Sequence, residues 1–190
     1  IFASSAAVYG ATWMPTKETN PPSPMSPYGI QKWECEEYLK YYWTRGVRGV
    51  ALRFFNVFGE RQEIANGEDS SLALAKFLSQ EKNDEPFTIV DSGDQRRDFV
   101  YVKDVVDALI RAAEFLKTAK QFEVFNIGSG FNYSINEITD LINPKRERIY
   151  LPPRIEPFAN LADISKAESL LGWKPKITFE QWLSSIRQKE

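Results

Sequence analysis

Tyr28 and Lys32 stand four residues apart in the run Tyr28-Gly29-Ile30-Gln31-Lys32, the spacing that puts two side chains on one face of a helix. A phenol and an ammonium at one spot form a candidate acid–base pair. A free phenol titrates near about 10, and a neighbouring positive charge favours its ionised form, so Lys32 would bring Tyr28 towards the range useful for proton transfer. The pair alone fits equally a half-buried tyrosine beside a solvated lysine. Two flanking segments bear on the choice. Ser4-Ser5-Ala6-Ala7-Val8-Tyr9-Gly10 reads as a strand end that delivers a hydroxyl, and Arg53-Phe54-Phe55-Asn56-Val57-Phe58-Gly59 as one that delivers an amide. In open parallel sheets ligands collect beyond the carboxyl ends of the strands, and the start of the Tyr28 helix would meet both segments there.

Composition closes off other chemistries. The 190 residues contain no histidine, which removes Ser-His and Cys-His nucleophilic catalysis and most zinc sites. Cys35, the single cysteine, cannot close an internal disulfide, and with it as the one soft ligand no metal is expected. Hydrophobic residues make up 43% and charged residues 26%, an ordinary balance for a soluble globular domain. The net charge of -2 gives no reason to expect nucleic acid or an anionic membrane as a partner, so any anion must be gripped by a few placed arginines. No apolar run approaches the roughly 18 residues of a membrane span and no signal peptide is visible; a cytoplasmic protein is expected. The sequence opens on Ile1 directly in an apolar run, and the expectation is that it begins mid-chain.

The elements that must position these residues alternate between strand-like and helix-like, which predicts an α/β architecture. Residues 1–5 read as a short buried strand, followed by a Pro, Thr, Asn and Ser-rich loop through Pro24. Ser26 is placed to cap a helix with Pro27 at its first position. That helix runs to about Thr44, ahead of Gly46 and Gly49. Residues 50–55 form an apolar strand buried on both faces, residues 59–69 a polar flexible loop, and residues 70–80 a helix. A strand at 87–90 leads through Ser92-Gly93-Asp94 to a strand at 97–102 and a helix at 103–118, whose apolar stripe includes Val105, Leu109 and Ala112. Residues 124–127 form a further strand. Ser134 with Glu137, and Thr178 with Gln181, fit capping boxes that open two more helices, the first halted by Pro144. Gly128-Ser129-Gly130 lacks the third glycine of a dinucleotide loop, since Tyr133 stands there, and reads as a strand-ending turn. Trp33, Tyr38, Tyr41, Tyr42 and Trp43 read as helix packing or a dimer face.

Six segments carry a resemblance: Ser-Ser-Ala-Ala-Val-Tyr-Gly, Ser-Pro-Tyr-Gly-x-x-Lys, Arg-Phe-Phe-Asn-Val-Phe-Gly, Arg-Asp-Phe-Val-Tyr-Val-x-Asp-Val, Asn-Ile-Gly-Ser-Gly and Ala-Asp-Ile-Ser-Lys-Ala. In this order they resemble the NAD-dependent nucleotide-sugar epimerases/dehydratases, a family of extended short-chain dehydrogenases/reductases, over essentially the whole sequence. The resemblance implies the C-terminal part of a Rossmann-type parallel-sheet domain (residues 1–58 and about 123–130). It adds a smaller mixed α/β substrate-binding lobe (about 59–122 and 131–190). It implies NAD, with its main pyrophosphate-binding segment expected ahead of Ile1, a nucleotide-diphosphate sugar as substrate, and a homodimer. The 190 residues alone are then expected to be inactive. Ser5 becomes the hydroxyl on the reacting sugar oxygen, Tyr28 the acid–base, and Lys32 its partner on the nicotinamide ribose. Ser4 and Phe54 join Tyr28 and Lys32 as cofactor contacts. Asn56 matches the contact to the phosphate-sugar region, and Arg97 and Arg154 the arginines on the diphosphate, for which a guanidinium fork is suited. Each arginine, read without the resemblance, also fits a surface salt bridge.

Positions 6 and 7 discriminate within the family. Related 4,6-dehydratases and decarboxylases carry an acidic residue there, needed to remove a ring proton or protonate a leaving hydroxyl, and alanine can do neither. A related heptose epimerase uses an extra lysine, but Asn66-Gly67-Glu68-Asp69-Ser70-Ser71 offers none. What remains is 4-epimerisation of a UDP-glucose or UDP-N-acetylglucosamine type substrate through transient oxidation at C4. The alternatives are a dehydratase, a 4-keto-sugar reductase with the same triad, and a non-catalytic sugar-nucleotide-binding remnant.

Overall fold

The computed structural model describes residues 1–60 and 73–187. The expected polar loop beyond Glu60, the first turn of the helix expected from Ser70, and the lysine-free stretch 66–71 fall outside the described residues. In chain order the strands are β1 (Phe2–Ser5), β2 (Val50–Phe54), β3 (Asn56–Phe58), β4 (Phe87–Val90), β5 (Arg96–Tyr101), β6 (Glu123–Ile127), β7 (Asn132–Ser134) and β8 (Arg148–Leu151). The helices are α1 (Pro27–Trp43), α2 (Ala73–Lys82), α3 (Val102–Leu116), α4 (Ile135–Ile142) and α5 (Phe179–Arg187). The architecture is α/β with parallel sheets.

Strand β2 is buried from Val50 to Arg53, as the central strand of a parallel sheet must be. It pairs in parallel with β1 on one side and β6 on the other. Helix α3 covers this sheet, and its Val105, Ala108 and Ala112 pack with Leu52, Phe125 and Trp173 in one core. A second sheet runs β3-β5-β7, parallel then antiparallel, and β4 pairs in parallel with β8. Phe58, Phe99, Phe179 and Trp182 fill the core beside it. Phe55 alone separates β2 from β3, so one chain segment passes from the first sheet to the second.

Local chemistry sets the boundaries of α1. Ser26 Oγ accepts the Gly29 N–H at 3.1 Å, a cap worth about 1 kcal/mol, and Pro27 takes the first helical position. The helix stops where Gly46, at φ +87°, closes back onto the Trp43 carbonyl at 3.0 Å. Strand β5 starts and ends one residue earlier than expected, because Tyr101 is already the cap of α3. Among the described residues no helix is long and apolar enough to cross a membrane.

Candidate active site

Parallel pairing aligns the carboxyl ends of three strands, with Ser5, Phe54 and Ile127 in one register row. Ser5 Oγ accepts the Ala7 N–H at 3.1 Å and so caps the 3-10 turn Ala6–Val8. Helix α1 starts against that turn. A Cβ on Gly29 would lie 2.5 Å from the Ala7 carbonyl oxygen, an approach open only to glycine, and it brings the first turn of α1 beside the segment that leaves Ser5. Lys32 Nζ donates to the Ala3 carbonyl on β1 at 2.8 Å. The same ammonium lies 5.5 Å from the Tyr28 ring centroid and 5.0 Å from that of Phe2, within cation–π range. Phenol and ammonium thus share a face, as their spacing predicts. Tyr28 is 53% exposed. Among the described residues neither its hydroxyl nor the Ser5 O–H donates a hydrogen bond. Each hydroxyl proton is thus free to be donated, although Ser5 Oγ already accepts the Ala7 N–H, and Phe54 lies half-buried next to Ser5 in the register row.

One residue back along the strands runs a second register row, Ser4, Arg53 and Asn126. It is polar and buried, with exposures of 2%, 4% and 0%. Glu36 reaches it from α1. Arg53 donates from Nε to Glu36 Oε1 at 3.0 Å and from Nη2 to Oε2 at 2.6 Å, and Ser4 Oγ donates to Glu36 Oε1. The Ser4 hydroxyl is therefore committed inside the protein. Burial alone would lower the Arg53 pKa, but the bonds to Glu36 outweigh it and hold the guanidinium above its ordinary range. Arg53 also stacks on Tyr9, 4.5 Å from the ring centroid. Burial pushes the Tyr9 phenol up to about 12, so it stays a donor, to Asn126 Oδ1 at 2.6 Å.

The other expected residues stand on the second sheet and the segment after β8. Asn56 Nδ2 donates to the Asp98 carbonyl at 2.8 Å and to Asn160 Oδ1 at 3.3 Å. Arg97 Nη1 donates to the Arg96 and Phe158 carbonyls, each at 3.0 Å, and Nη2 pairs with Glu156 Oε1 at 3.1 Å. Arg97 is thereby tied to the segment that carries the exposed Arg154. A carboxylate already seats against its fork, so an anionic ligand would have to exchange with Glu156. Asp98, fully buried, holds the neighbouring loops together. Its carboxylate accepts the Ser129 and Gly130 N–H groups at 2.6 and 3.1 Å, the Ser129 hydroxyl at 2.8 Å and the Ala162 N–H at 3.0 Å. Burial pushes the Asp98 carboxyl above its ordinary value while these donors pull the other way. Glu36, Arg53, Asp98 and Asn126 were not singled out by sequence reasoning. Glu36 carried a signal, since it continues the Tyr28–Lys32 face by one more helical turn. Asp98 carried none locally, because its partners lie more than thirty residues away.

The model of the NAD dependent epimerase/dehydratase family matches residues 1–128. A Methanocaldococcus jannaschii protein, provisionally named a UDP-glucose 4-epimerase, is 41% identical over 196 aligned positions, covering 98% of this chain and 61% of that protein. The UDP-N-acetylglucosamine 4-epimerase of Methanobrevibacter ruminantium, solved with UDP-N-acetylmuramic acid, is 35% identical with a TM-score of 0.85, covering 100% of this chain and 63% of its own. The UDP-glucose 4-epimerase of Thermotoga maritima, solved with UDP-glucose, is 33% identical with a TM-score of 0.86, covering 99% and 63%. The chain spans about three fifths of the length of these relatives.

Proposed function

The chain belongs to the NAD dependent epimerase/dehydratase family, and on that premise we propose that the protein is a nucleotide-sugar 4-epimerase acting on a UDP-glucose or UDP-N-acetylglucosamine type substrate. The observation that carries this is that the first turns of α1, with Tyr28 and Lys32 on one face, pack on β1 and on the turn leaving Ser5, with neither hydroxyl donating its proton among the described residues and alanine at positions 6 and 7. Those groups suffice for moving one proton at the C4 oxygen. Elimination across the ring would need a further acid or base, which neither alanine supplies.

The donor set suits NAD. Tyr28 and Lys32 offer hydrogen bonds to the nicotinamide ribose at the carboxyl end of parallel strands, where dinucleotides bind. Bound there, NAD supplies a reversible hydride acceptor for C4 of the sugar. Tyr28 takes the proton of the 4-hydroxyl and later returns it. Ser5 donates to the same oxygen and holds it in line, and Lys32 keeps a positive charge beside the phenol. Arg97 and Arg154 grip the diphosphate, with Arg97 exchanging Glu156 for phosphate oxygens, and Asn56 borders the phosphate-sugar region. Residues 1–58 and about 123–130 then serve the cofactor, and about 59–122 and 131–190 the sugar nucleotide.

The test follows the cofactor. The protein at its natural length, given UDP-glucose and a trace of NAD, should form the C4 epimer with no net reduced cofactor. Stoichiometric consumption of reduced cofactor with a 4-keto sugar would make the protein a reductase instead, and absence of any epimer would remove the proposal.

A further inference from the structure

We propose that Glu36, through its buried partners Ser4 and Arg53, is the positioning residue that sets Tyr28 and Lys32 against Ser5; this rests on the 4-epimerase reading of that edge. Helix α1 is 17 residues long, yet Gly29 and Glu36 are its only buried residues. These two points bracket Lys32. At Gly29 the helix is located by contact with the Ala7 carbonyl. At Glu36 it is located by three hydrogen bonds. A carboxylate is a costly group to bury, and a well-packed apolar residue would seat a helix at least as firmly. What the carboxylate adds is direction, because a two-pronged guanidinium–carboxylate pair fixes angle as well as distance.

The direction bears on the reacting groups through register. Ser4 and Arg53 are opposite one another on β1 and β2, so one carboxylate joins two adjacent strands and the helix. Successive side chains of a strand point to opposite faces. Holding Ser4 towards Glu36 therefore sets the rotation of β1 and with it the side to which Ser5 presents its hydroxyl. On the helix, positions 28, 32 and 36 share a face, so fixing Glu36 fixes the rotation of α1 about its axis. Arg53 cannot swing away, since it is pressed on Tyr9, which is itself bonded to Asn126. Ser5, Tyr28 and Lys32 are thus held in relative position by residues one step beneath them, whose hydroxyl, guanidinium and carboxylate are bonded to one another inside the protein.

The test compares two variants of the natural-length protein. Glu36→Gln combined with Arg53→Gln removes both charges together, so that no lone charge is left buried. Ser4→Ala removes a single hydrogen bond and keeps the fold if the double variant fails to fold. Per folded molecule, kcat for UDP-glucose should fall about tenfold or more in the double variant and severalfold in Ser4→Ala, with KM within about threefold, since a misplaced reacting group slows the chemical step. Unchanged kcat per folded molecule, or KM rising in proportion, would overturn the proposal and leave Glu36 a purely structural anchor. If the unmodified protein epimerises nothing, the functional reading has failed, and crystal structures of the parent and Ser4→Ala decide this one. The Tyr28 hydroxyl should then shift against Ser5 Oγ by roughly 0.5 Å or more, the tolerance of a preorganised site; an unmoved hydroxyl overturns it.

Discussion

Replacing Gly29 by alanine probes the seat of α1 at its tightest point. In an exposed helix the change would add roughly 1 kcal/mol of stability. Here the new Cβ would lie 2.5 Å from the Ala7 carbonyl oxygen and 3.0 Å from Pro24 Cβ. Packed Cβ atoms essentially never approach closer than 3.0 Å, so turn and helix must part by about 0.5 Å. Overpacking of this kind costs about 1–3 kcal/mol. Set against the helix gain, the net loss reaches about 2 kcal/mol, a fall in Tm of up to roughly 8 °C for a chain of this size. The same parting carries Tyr28, the preceding residue, away from the Ser5 segment. A misplacement of about 1 Å can cost on the order of 100-fold in rate, so half that distance predicts a loss of roughly tenfold in kcat. Gly49→Ala is the control, because its Cβ would meet only Leu39 Cδ2, at 3.4 Å, and both readouts should stay near those of the parent. Thermal unfolding and UDP-glucose turnover on the same preparations decide the matter. Gly29→Ala as stable as the parent and as active would show that α1 is not held by this contact.

Arg97→Ala should weaken UDP-glucose binding by about 1.5–3 kcal/mol, the scale of a charged hydrogen bond, with kcat less affected; calorimetric titration showing unchanged affinity would remove Arg97 from the diphosphate. Asp98→Asn puts an amide donor where the carboxylate accepts two of its donors, and should cost about 2–5 kcal/mol by leaving buried N–H groups unmet, read as a lower denaturant midpoint at constant m-value. Glu137 is held below its ordinary value, first by the Ser134 N–H and then by Arg96. Its contribution is therefore present above the usual glutamate value of about 4.3 and lost as pH falls through the depressed one. The group is half exposed, so screening keeps the effect to roughly 1 kcal/mol or less. Glu137→Gln should flatten the acid side of the Tm–pH curve, and parallel curves for parent and variant would contradict the assignment.

Elements bounded by local chemistry could be read from the sequence. Ser26, Pro27 and Gly46 frame α1 by bonds that reach no further than five residues. Both expected capping boxes form: Ser134 with Glu137 at the head of α4, and Thr178 with Gln181 through reciprocal bonds at the head of α5. What escaped depends on distant partners. Strands β3, β7 and β8 have only three or four residues each and exist because β5 or β4 lies alongside. The site divides in the same way. Tyr28 and Lys32 are legible because an i,i+4 spacing is a local geometric fact. Arg53 looked like one polar residue in an apolar run, and only the register of β1 with β2 reveals that it and Ser4 meet the same carboxylate. The tyrosines of α1 show the reverse case: Tyr38, Tyr41 and Tyr42 are each at least half exposed, so packing within this chain does not account for them.

Tyr28→Phe in the natural-length protein tests the central claim most directly, with C4 interconversion of UDP-glucose and the Kd for UDP-glucose measured on one preparation. The variant keeps the ring beside Lys32 and loses only the hydroxyl. Turnover should fall by roughly 100-fold or more, the contribution of a general acid–base group, while Kd stays within about threefold. Turnover that survives the substitution, or affinity lost in step with rate, would show that the Tyr28 hydroxyl does not carry the proton at C4.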